Sequence, residues 1–159
     1  MDKFQMMMDS RIGPLYLVAT EMHLTGVFWE KQNIPLIQNH NSAAAILNNT
    51  VIQLTEYLDG KRKQFDLPLA ASGTPFQMSV WRELAKIPYG TTYSYKKLAA
   101  TLNNEKACRA VGTANGCNPL SIIVPCHRVI AADGKLGGFA GGLEVKRKLL
   151  ELEKVGGME

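Results

Sequence analysis

Hydrophobic residues follow different periods on either side of a polar break at residues 72–74. Before the break, apolar runs of strand length lie at residues 4–8, 15–20 and 24–29, and turn-forming residues separate them. This pattern is typical of an antiparallel meander. After the break, apolar residues recur every three or four positions, which is typical of amphipathic helices. We therefore predict a mixed α/β (α+β) protein of two domains, residues 1–71 and 72–159.

One helix is predicted in the first domain, behind the meander. Apolar residues from Leu47 to Leu58 recur at spacings of 4, 3 and 4, which places them on one helical face. Gly60 follows as the terminator. The first domain is thus expected to be an antiparallel sheet covered by one helix.

A capping residue marks the first helix of the second domain. Thr74 followed by Pro75 is typical of a helix N-terminus, because proline suits the first helical position. Phe76, Val80 and Leu84 follow at intervals of four residues. These three side chains are predicted to share the buried face.

Two shorter helices are predicted after it. Ser94 is expected to cap the first, and a polar turn at residues 103–104 separates it from the second. Two short helices joined by a tight turn indicate a helix-turn-helix. The inner face of the second helix is predicted to consist of Ala107, Ala110, Val111 and Ala114.

The remaining segments of the second domain are short. We predict a strand at residues 122–124, another at 129–131 and a hairpin turn at Asp133-Gly134. A glycine-rich stretch at residues 137–142 then leads into a last helix over residues 143–153.

Positive charge gathers in the second domain. Residues 1–71 carry six Lys and Arg against seven Asp and Glu, and residues 72–159 carry twelve against seven, so the net charges are −1 and +5. A polyanionic partner such as DNA would explain this surplus, because basic side chains displace counterions from phosphates. Ordinary solubilising charge explains it equally well, and composition leaves both interpretations open.

Nothing in the sequence indicates secretion or insertion into a membrane. The N-terminus lacks an apolar run of signal-peptide length, and nowhere do 18 uncharged apolar residues follow one another. The chain has three cysteines, an odd number that indicates reduced thiols and not a disulfide framework. A cytoplasmic protein without a membrane partner is expected.

A zinc site is the alternative interpretation of Cys108, Cys117 and Cys126, with His127 beside the last. Eight residues separate successive cysteines, whereas structural zinc sites usually use closely spaced pairs. Cys108 also falls in a predicted helix. The sequence therefore predicts no metal and no other cofactor.

Cys126 is the candidate nucleophile. It follows a run of β-branched residues and Pro125, so its backbone is expected to be held rigidly. A thiol with a pKa of about 8.5 needs a base or a positive environment to ionise at neutral pH. His127 is the nearest base, and Glu153 on the last helix would orient it. Spacing alone leaves a buried, inert thiol as the alternative.

Five motifs in the second domain resemble those of the O6-alkylguanine-DNA alkyltransferases in order and spacing. They are residues 74–77 with 80–81, 87–90 with 94–95, 109–112 with 118–119, 121–130, and 141–143 with Lys146. The fourth, Ser-Ile-Ile-Val-Pro-Cys-His-Arg-Val-Ile, is similar to the active-site signature of that family. Residues 1–71 resemble its ribonuclease-H-like N-terminal domain more loosely. The resemblance implies a winged helix-turn-helix for residues 72–159.

The resemblance also implies a reaction. Cys126 would take the alkyl group from O6-alkylguanine in DNA, with His127 acting on the thiol through a water and Glu153 behind the histidine. The resemblance leaves open O4-methylthymine as a second substrate. Asn118 would brace the active-site turn. Tyr95 would lie near the phosphate 3′ to the lesion and give a proton to the leaving base. The thioether product is stable, so each molecule would act once.

DNA contacts follow from the same resemblance. Arg109 would fill the gap left when the damaged nucleotide swings out of the duplex. The helix face around it is made small by Ala107, Ala110, Gly112 and Thr113. Such a face suits the narrow minor groove, where little sequence information is read.

The base pocket carries the main departures from the family pattern. The flipped base would be held by backbone groups near Val129 and in the glycine stretch. Phe139 stands where tyrosine is common, and Ala140 where some members have serine. Neither side chain offers a hydroxyl, so we expect an altered substrate range or rate. The Ala140 backbone N–H remains able to reach the O6 oxygen.

Three other functions remain open at the level of sequence. The chain could recognise alkylated guanine without repairing it, although Cys126 argues against that. It could be a cysteine hydrolase, or a helix-turn-helix regulator in which Cys126 is incidental. The favoured interpretation is a monomeric, stand-alone repair protein that binds double-stranded DNA and lacks the zinc-binding domain of regulatory family members.

Overall fold

A computed structural model describes residues 2–37 and 42–154. The chain divides into two compact units, residues 1–72 and 73–159. Across the described residues, no helix is both long enough and apolar enough to cross a membrane.

The first unit contains a three-stranded antiparallel sheet. Its strands are β1 (Phe4–Met8), β2 (Leu15–Ala19) and β3 (Leu24–Phe28), in the order β1-β2-β3. The predicted meander is therefore confirmed, with β2 and β3 each one residue shorter than expected. Met6 pairs with Leu17, which fixes the register between the first two strands.

Helix α1 (Ser42–Leu58) covers this sheet, as the apolar periodicity predicts. Leu47 and Leu54 are fully buried with the sheet residues Leu15 and Leu17. The helix ends just before Gly60, whose φ of 76° is a left-handed conformation that suits glycine. The core of the first unit lies between the sheet and this helix.

The second unit begins with helix α2 (Pro75–Leu84). Thr74 caps it as predicted: its Oγ1 accepts from the Gln77 backbone N–H, and Gln77 Oε1 accepts from the Thr74 N–H. Val80 and Leu84 are buried, but Phe76 is exposed. The prediction that Phe76 shares the buried face is wrong, because Trp81 takes its place by packing inward and donating to the Ala114 carbonyl.

A helix-turn-helix follows, formed by α3 (Tyr95–Thr101) and α4 (Cys108–Gly116). The Ser94 hydroxyl caps α3 by accepting from the Lys97 N–H. Asn103 in the turn has a φ of 57°. Val111 and Ala114 form the buried face of α4, as predicted.

Two residues of the predicted inner face lie elsewhere. Ala110 is exposed: although it stands four positions before buried Ala114, it lies in the first turn of α4, where the first buried residue is Val111. Ala107 is half-buried and belongs to a 3-10 turn (Glu105–Ala107) that precedes α4. Both residues thus flank the outer surface of the helix.

The strand predicted at residues 122–124 is absent, and this segment is a tight turn. The Val124 N–H donates to the Leu120 carbonyl at 2.9 Å, and the Ile123 N–H donates to the Ser121 carbonyl at 2.8 Å. The backbone N–H groups of Ile123 and Val124 are therefore satisfied within the turn and are not available to a sheet partner. A short β-branched run cannot by itself distinguish a strand from a buried turn.

Ile122 is strained in this turn. Its φ is 73° although its side chain is β-branched, and the hydrogen bond across it closes a three-residue γ-turn. A conformation of this kind costs on the order of 1–3 kcal/mol and persists only where the surroundings impose it. The strained residue lies four positions before Cys126.

Substitutions at Ile122 should reveal this strain. Ile122→Ala and Ile122→Gly remove the same buried contacts, but glycine adopts positive φ without penalty. We expect the glycine variant to be more stable by about 1 kcal/mol in urea unfolding. At Ile123, where φ is not positive, the order should reverse. Greater stability of alanine at both positions would show that the turn is unstrained.

The C-terminal part contains little strand. Strands β4 (Tyr93–Ser94) and β5 (Val129–Ile130) form a parallel pair. The turn predicted at Asp133-Gly134 is present, with Gly134 at a φ of 87°, but no strand follows it within the described part of the chain. Helix α5 (Leu143–Leu152) ends one residue earlier than predicted.

Candidate active site

Cys126 begins a 3-10 turn (Cys126–Arg128) that joins the strained segment to β5, and its side chain is buried. Asn118 holds the segment before it at two points. Its Nδ2 donates to the Val124 carbonyl at 2.8 Å, and its Oδ1 accepts from the Leu120 N–H at 3.0 Å. The amide of Asn118 thereby fixes the backbone that presents the thiol.

The surroundings of the Cys126 thiol act on its pKa in opposite directions. Burial raises this pKa, whereas hydrogen bonding by Asn118 and the positive charge of Lys146 lower it. A buried thiol without such groups would remain protonated and unreactive. Burial has the largest effect, so the pKa of Cys126 is raised overall, and Asn118 and Lys146 limit this rise by favouring the thiolate.

His127, which follows Cys126 in the chain, forms a buried pair with Glu153. His127 Nε2 lies 2.8 Å from Glu153 Oε2, and neither side chain reaches solvent. The sequence predicts this pairing of a base with an orienting acid, and the structure brings the two side chains together. The contact joins the turn at Cys126 to the end of α5.

Arg128 completes a cluster around the same carboxylate. Its Nε and Nη2 donate to the two carboxylate oxygens of Glu153 at 2.8 and 3.0 Å, and its Nη1 donates to the Ile87 carbonyl at 2.7 Å. Although burial opposes ionisation, hydrogen bonds from His127 and Arg128 lower the pKa of Glu153 to about 2. Glu153 is therefore ionised at neutral pH.

Burial lowers the pKa of His127, despite the nearby carboxylate of Glu153. The imidazole is therefore neutral at neutral pH. Because the ionised carboxylate can only accept, Nε2 must carry the ring proton and Nδ1 the lone pair. This tautomer can receive a proton at Nδ1.

Lys146 on α5 is fully buried. Its Nζ donates to the Val129 carbonyl at 2.7 Å and to the Gly138 carbonyl at 3.2 Å. Burial lowers its pKa to about 8, so the ammonium remains the major form at neutral pH. Lys146 thus ties β5 to the glycine-rich stretch and places a positive charge near the thiol.

A cleft with about 500 Å³ of space for solvent opens on the surface of the second unit. Its lining includes six of the predicted site residues, namely Tyr95, Arg109, Gly112, Thr113, Phe139 and Ala140. A smaller cavity of about 10 Å³ lies further in and is lined by Cys126, Asn118, Phe139 and Ala140, among others. Phe139 and Ala140 line both spaces and lie where the cleft leads toward the thiol.

Tyr95 packs closely against the glycine-rich stretch. A Cβ atom placed on Gly137 would lie 2.8 Å from the Tyr95 hydroxyl oxygen, and Gly137 has a φ of 71°. Only glycine permits this approach without displacing the ring. Burial raises the pKa of Tyr95, and so does the nearby Cys126.

The outer face of α4 borders the same cleft. Gly112 and Thr113 line it together with Arg109, which is exposed. Ala107 and Ala110 do not line the cleft. Val129 lines neither space: it is buried, and its carbonyl accepts from Lys146.

Sequence reasoning missed the parts that Arg128, Lys146 and Asn115 take in this site. Lys146 and Glu153 lie seven residues apart, on the helical face that carries buried Leu149 and Leu150. Charged residues on an apolar face are rarely buried without a partner. That pattern would have identified Lys146, whereas nothing in the sequence singles out Asn115.

No group of three or more His, Cys, Asp or Glu side chains in the described ranges is arranged to hold a metal ion. The fold and the site define a class of protein that presents a buried cysteine, backed by a histidine and a glutamate, from a helix-turn-helix unit.

Comparison with known proteins identifies the family. Residues 75–155 match the model of the 6-O-methylguanine DNA methyltransferase DNA-binding domain, and residues 4–71 match that of its ribonuclease-like domain. The chain belongs to the 6-O-methylguanine DNA methyltransferase family. This confirms the resemblance drawn from the five motifs.

Individual relatives agree with this assignment. The methylated-DNA--protein-cysteine methyltransferase of Methanosarcina barkeri is 44% identical over 148 residues, covering 92% of this chain and 94% of that protein. The enzyme of the same name from Mycobacterium tuberculosis is 46% identical over 147 residues, covering 92% and 89%. The solved structure of Mycobacterium tuberculosis OGT in complex with DNA matches with a TM-score of 0.85 at 44% identity, covering 95% of this chain and 92% of the other.

Proposed function

We propose that this protein repairs DNA by transferring the alkyl group of O6-alkylguanine irreversibly to its own Cys126. One observation carries the proposal: buried Cys126 directly precedes His127, whose Nε2 lies 2.8 Å from Glu153 Oε2, and Cys126 lines a small cavity that shares Phe139 and Ala140 with the outer cleft. Alkyl displacement requires a soft nucleophile, a proton acceptor to activate it and a path by which the damaged guanine reaches it. The family assignment supports the same reaction.

The transfer needs two proton movements. The thiol proton passes to His127 Nδ1 through a water, and the thiolate sulfur attacks the alkyl carbon. As the new C–S bond forms, the bond from the alkyl carbon to O6 breaks and its electron pair stays with the guanine. The hydroxyl of Tyr95, which its raised pKa keeps protonated, gives a proton to the guanine as the C–O bond breaks. This leaves Tyr95 as tyrosinate and His127 as imidazolium, and proton exchange with water returns both to their neutral forms.

The product explains why the protein acts once. A thioether has no acidic hydrogen and no good leaving group, so Cys126 is not regenerated. The proposed reacting groups lie between Tyr95 and Glu153 of a single chain. We therefore propose a monomer that repairs one lesion per molecule.

Double-stranded DNA is the proposed partner, bound through its minor groove. Arg109 is exposed at the rim of the cleft, so it can enter the duplex while the damaged nucleotide occupies the cleft. Eversion of a base costs a few kcal/mol, which a side chain that replaces the lost contacts can offset. Phe139 and Ala140 would then contact the everted guanine.

Lys146 should tune the reactivity of the thiol. Replacing it with methionine removes the positive charge that lowers the pKa of Cys126. We expect the pH profile of reaction with free O6-benzylguanine to shift to higher pH and the rate at neutral pH to fall about tenfold. Lys146→Arg retains the charge and should shift the profile less. Identical profiles for both variants and the natural protein would exclude this role.

The proposed function is tested by the fate of a labelled methyl group. A duplex with O6-[methyl-³H]guanine is incubated with the natural protein, with Cys126→Ser and with Cys117→Ser as the matched control. We expect label on the natural protein and the control but none on Cys126→Ser. DNA binding without transfer by folded natural protein would indicate a recognition protein or a regulator. Release of the label with repeated turnover would indicate a hydrolase.

A further inference from the structure

Asn115 lies on α4 within the site and has no part in the alkyl transfer proposed for Cys126. Its side chain is buried and lines both the small cavity beside Cys126 and the outer cleft. Its Nδ2 donates to the Cys126 carbonyl at 3.4 Å. Its Oδ1 is buried and accepts no hydrogen bond from any residue that the structure describes.

The orientation of this amide follows from its neighbour. If the amide were turned over, Oδ1 would face the Cys126 carbonyl and two acceptors would oppose each other. In the observed orientation, Asn115 Oδ1 therefore remains available to accept a hydrogen bond from a ligand. A buried acceptor without a donor is costly, so its presence in a ligand cleft points to a donor on the ligand.

Two other polar side chains of the site, Asn118 and Thr113, are already engaged. Both ends of the Asn118 amide bind backbone groups, and the Thr113 hydroxyl donates to the Arg109 carbonyl. Phe139 and Ala140 contribute no polar side-chain atom. Asn115 Oδ1 is thus an acceptor placed where the base would lie.

The chemistry of the proposed substrate limits what this acceptor can bind. Alkylation at O6 leaves N1 of guanine without a hydrogen, so the exocyclic 2-amino group is the one N–H donor on the base. We propose that Asn115 Oδ1 accepts a hydrogen bond from this 2-amino group and thereby selects alkylated guanine over alkylated bases that lack it. The inference rests on the proposed function and specifies how its substrate is recognised.

O4-alkylthymine is the relevant competitor. Its N3 carries no hydrogen when O4 is alkylated, so it presents no donor to Asn115. Placing it in the pocket would leave Oδ1 buried and unsatisfied. A site that binds a polar group of its substrate rejects analogues that lack this group. Asn115 is accordingly a specificity-determining residue.

The test compares two duplexes that differ in one amino group. One contains O6-methylguanine and the other O6-methylhypoxanthine, and methyl transfer to Cys126 is measured with protein in excess. In Asn115→Leu and Asn115→Ala, the ratio of the guanine rate to the hypoxanthine rate should fall about tenfold relative to the natural protein. Cys117→Ser, at the end of the same helix, should keep the natural ratio.

The outcomes separate the two proposals. The ratio does not depend on the fraction of folded protein, so a merely structural role for Asn115 would slow both substrates equally. An unchanged ratio in both Asn115 variants would overturn the inference and leave the repair function intact. If folded natural protein accepts no methyl group from O6-methylguanine or from O6-methylhypoxanthine, both the inference and the proposed function are overturned.

Discussion

Replacing Glu153 with glutamine is expected to destabilise the protein by about 3 kcal/mol at neutral pH. Glutamine has nearly the same shape but no charge, so buried Arg128 loses its bidentate partner. A buried cation without a counterion is strongly destabilising. Urea unfolding measures the loss, and Glu151→Gln, at an exposed position on the same helix, is the matched control.

This destabilisation should depend on pH in a defined direction. The pKa of Glu153 is about 2 in the folded protein, below its ordinary value of 4.5. The carboxylate therefore contributes its full stabilisation above about pH 4.5 and loses it as the pH falls toward 2. We expect the stability difference between the natural protein and Glu153→Gln to shrink between pH 5 and about pH 2. A difference that stays constant over this range would contradict the assignment of a low pKa.

Glu153→Gln should also slow alkyl transfer. Without the carboxylate, His127 loses the acceptor that fixes its tautomer, and Nδ1 no longer holds the lone pair in every molecule. The rate with free O6-benzylguanine should fall at neutral pH under conditions where the variant is folded. This readout separates the proposed orienting role from stability alone.

Replacing Arg109 with alanine should slow repair in duplex DNA by about a hundredfold while changing the reaction with free O6-benzylguanine by less than about threefold. The free base needs no eversion, so it bypasses the step in which Arg109 fills the vacated position. Rates are measured in single turnover with both substrates.

The control for Arg109 is Arg82→Ala. It removes the same charge from another exposed position of the second unit, outside the lining of the cleft. This variant should weaken duplex binding only through the general electrostatic attraction. Equal losses on duplex and free substrates in Arg109→Ala would remove its role in eversion.

The sequence was sufficient to predict most of the architecture. Capping residues such as Thr74 and Ser94 are local signals, and each begins its helix as predicted. The meander and α1 followed from periodicity, which depends on burial of one face. The segment at residues 122–124 could not be predicted, because its turn depends on an amide from Asn118 and on a strained φ at Ile122.

The site was only partly predictable for a related reason. The pairing of His127 with Glu153 follows from the logic of a base and its orienting acid, and the structure places these atoms 2.8 Å apart. The apolar face of α5 indicates that Lys146 is buried, but its contacts and those of Arg128 join segments that are distant in the chain, so spacing does not identify the partners. Asn115 Oδ1 accepts no hydrogen bond from the described residues because of how α4 packs against Cys126, and no sequence pattern indicates that packing.

The central claim is a single, irreversible transfer to Cys126, and intact-protein mass spectrometry tests it most directly. The folded protein is incubated with an excess of duplex containing O6-methylguanine until the reaction stops. We predict that each protein molecule gains the mass of one methyl group, that digestion places it on the peptide containing Cys126, and that the number of repaired lesions equals the number of protein molecules. Repair of many lesions per molecule, or a methyl group on any other residue, would contradict this account.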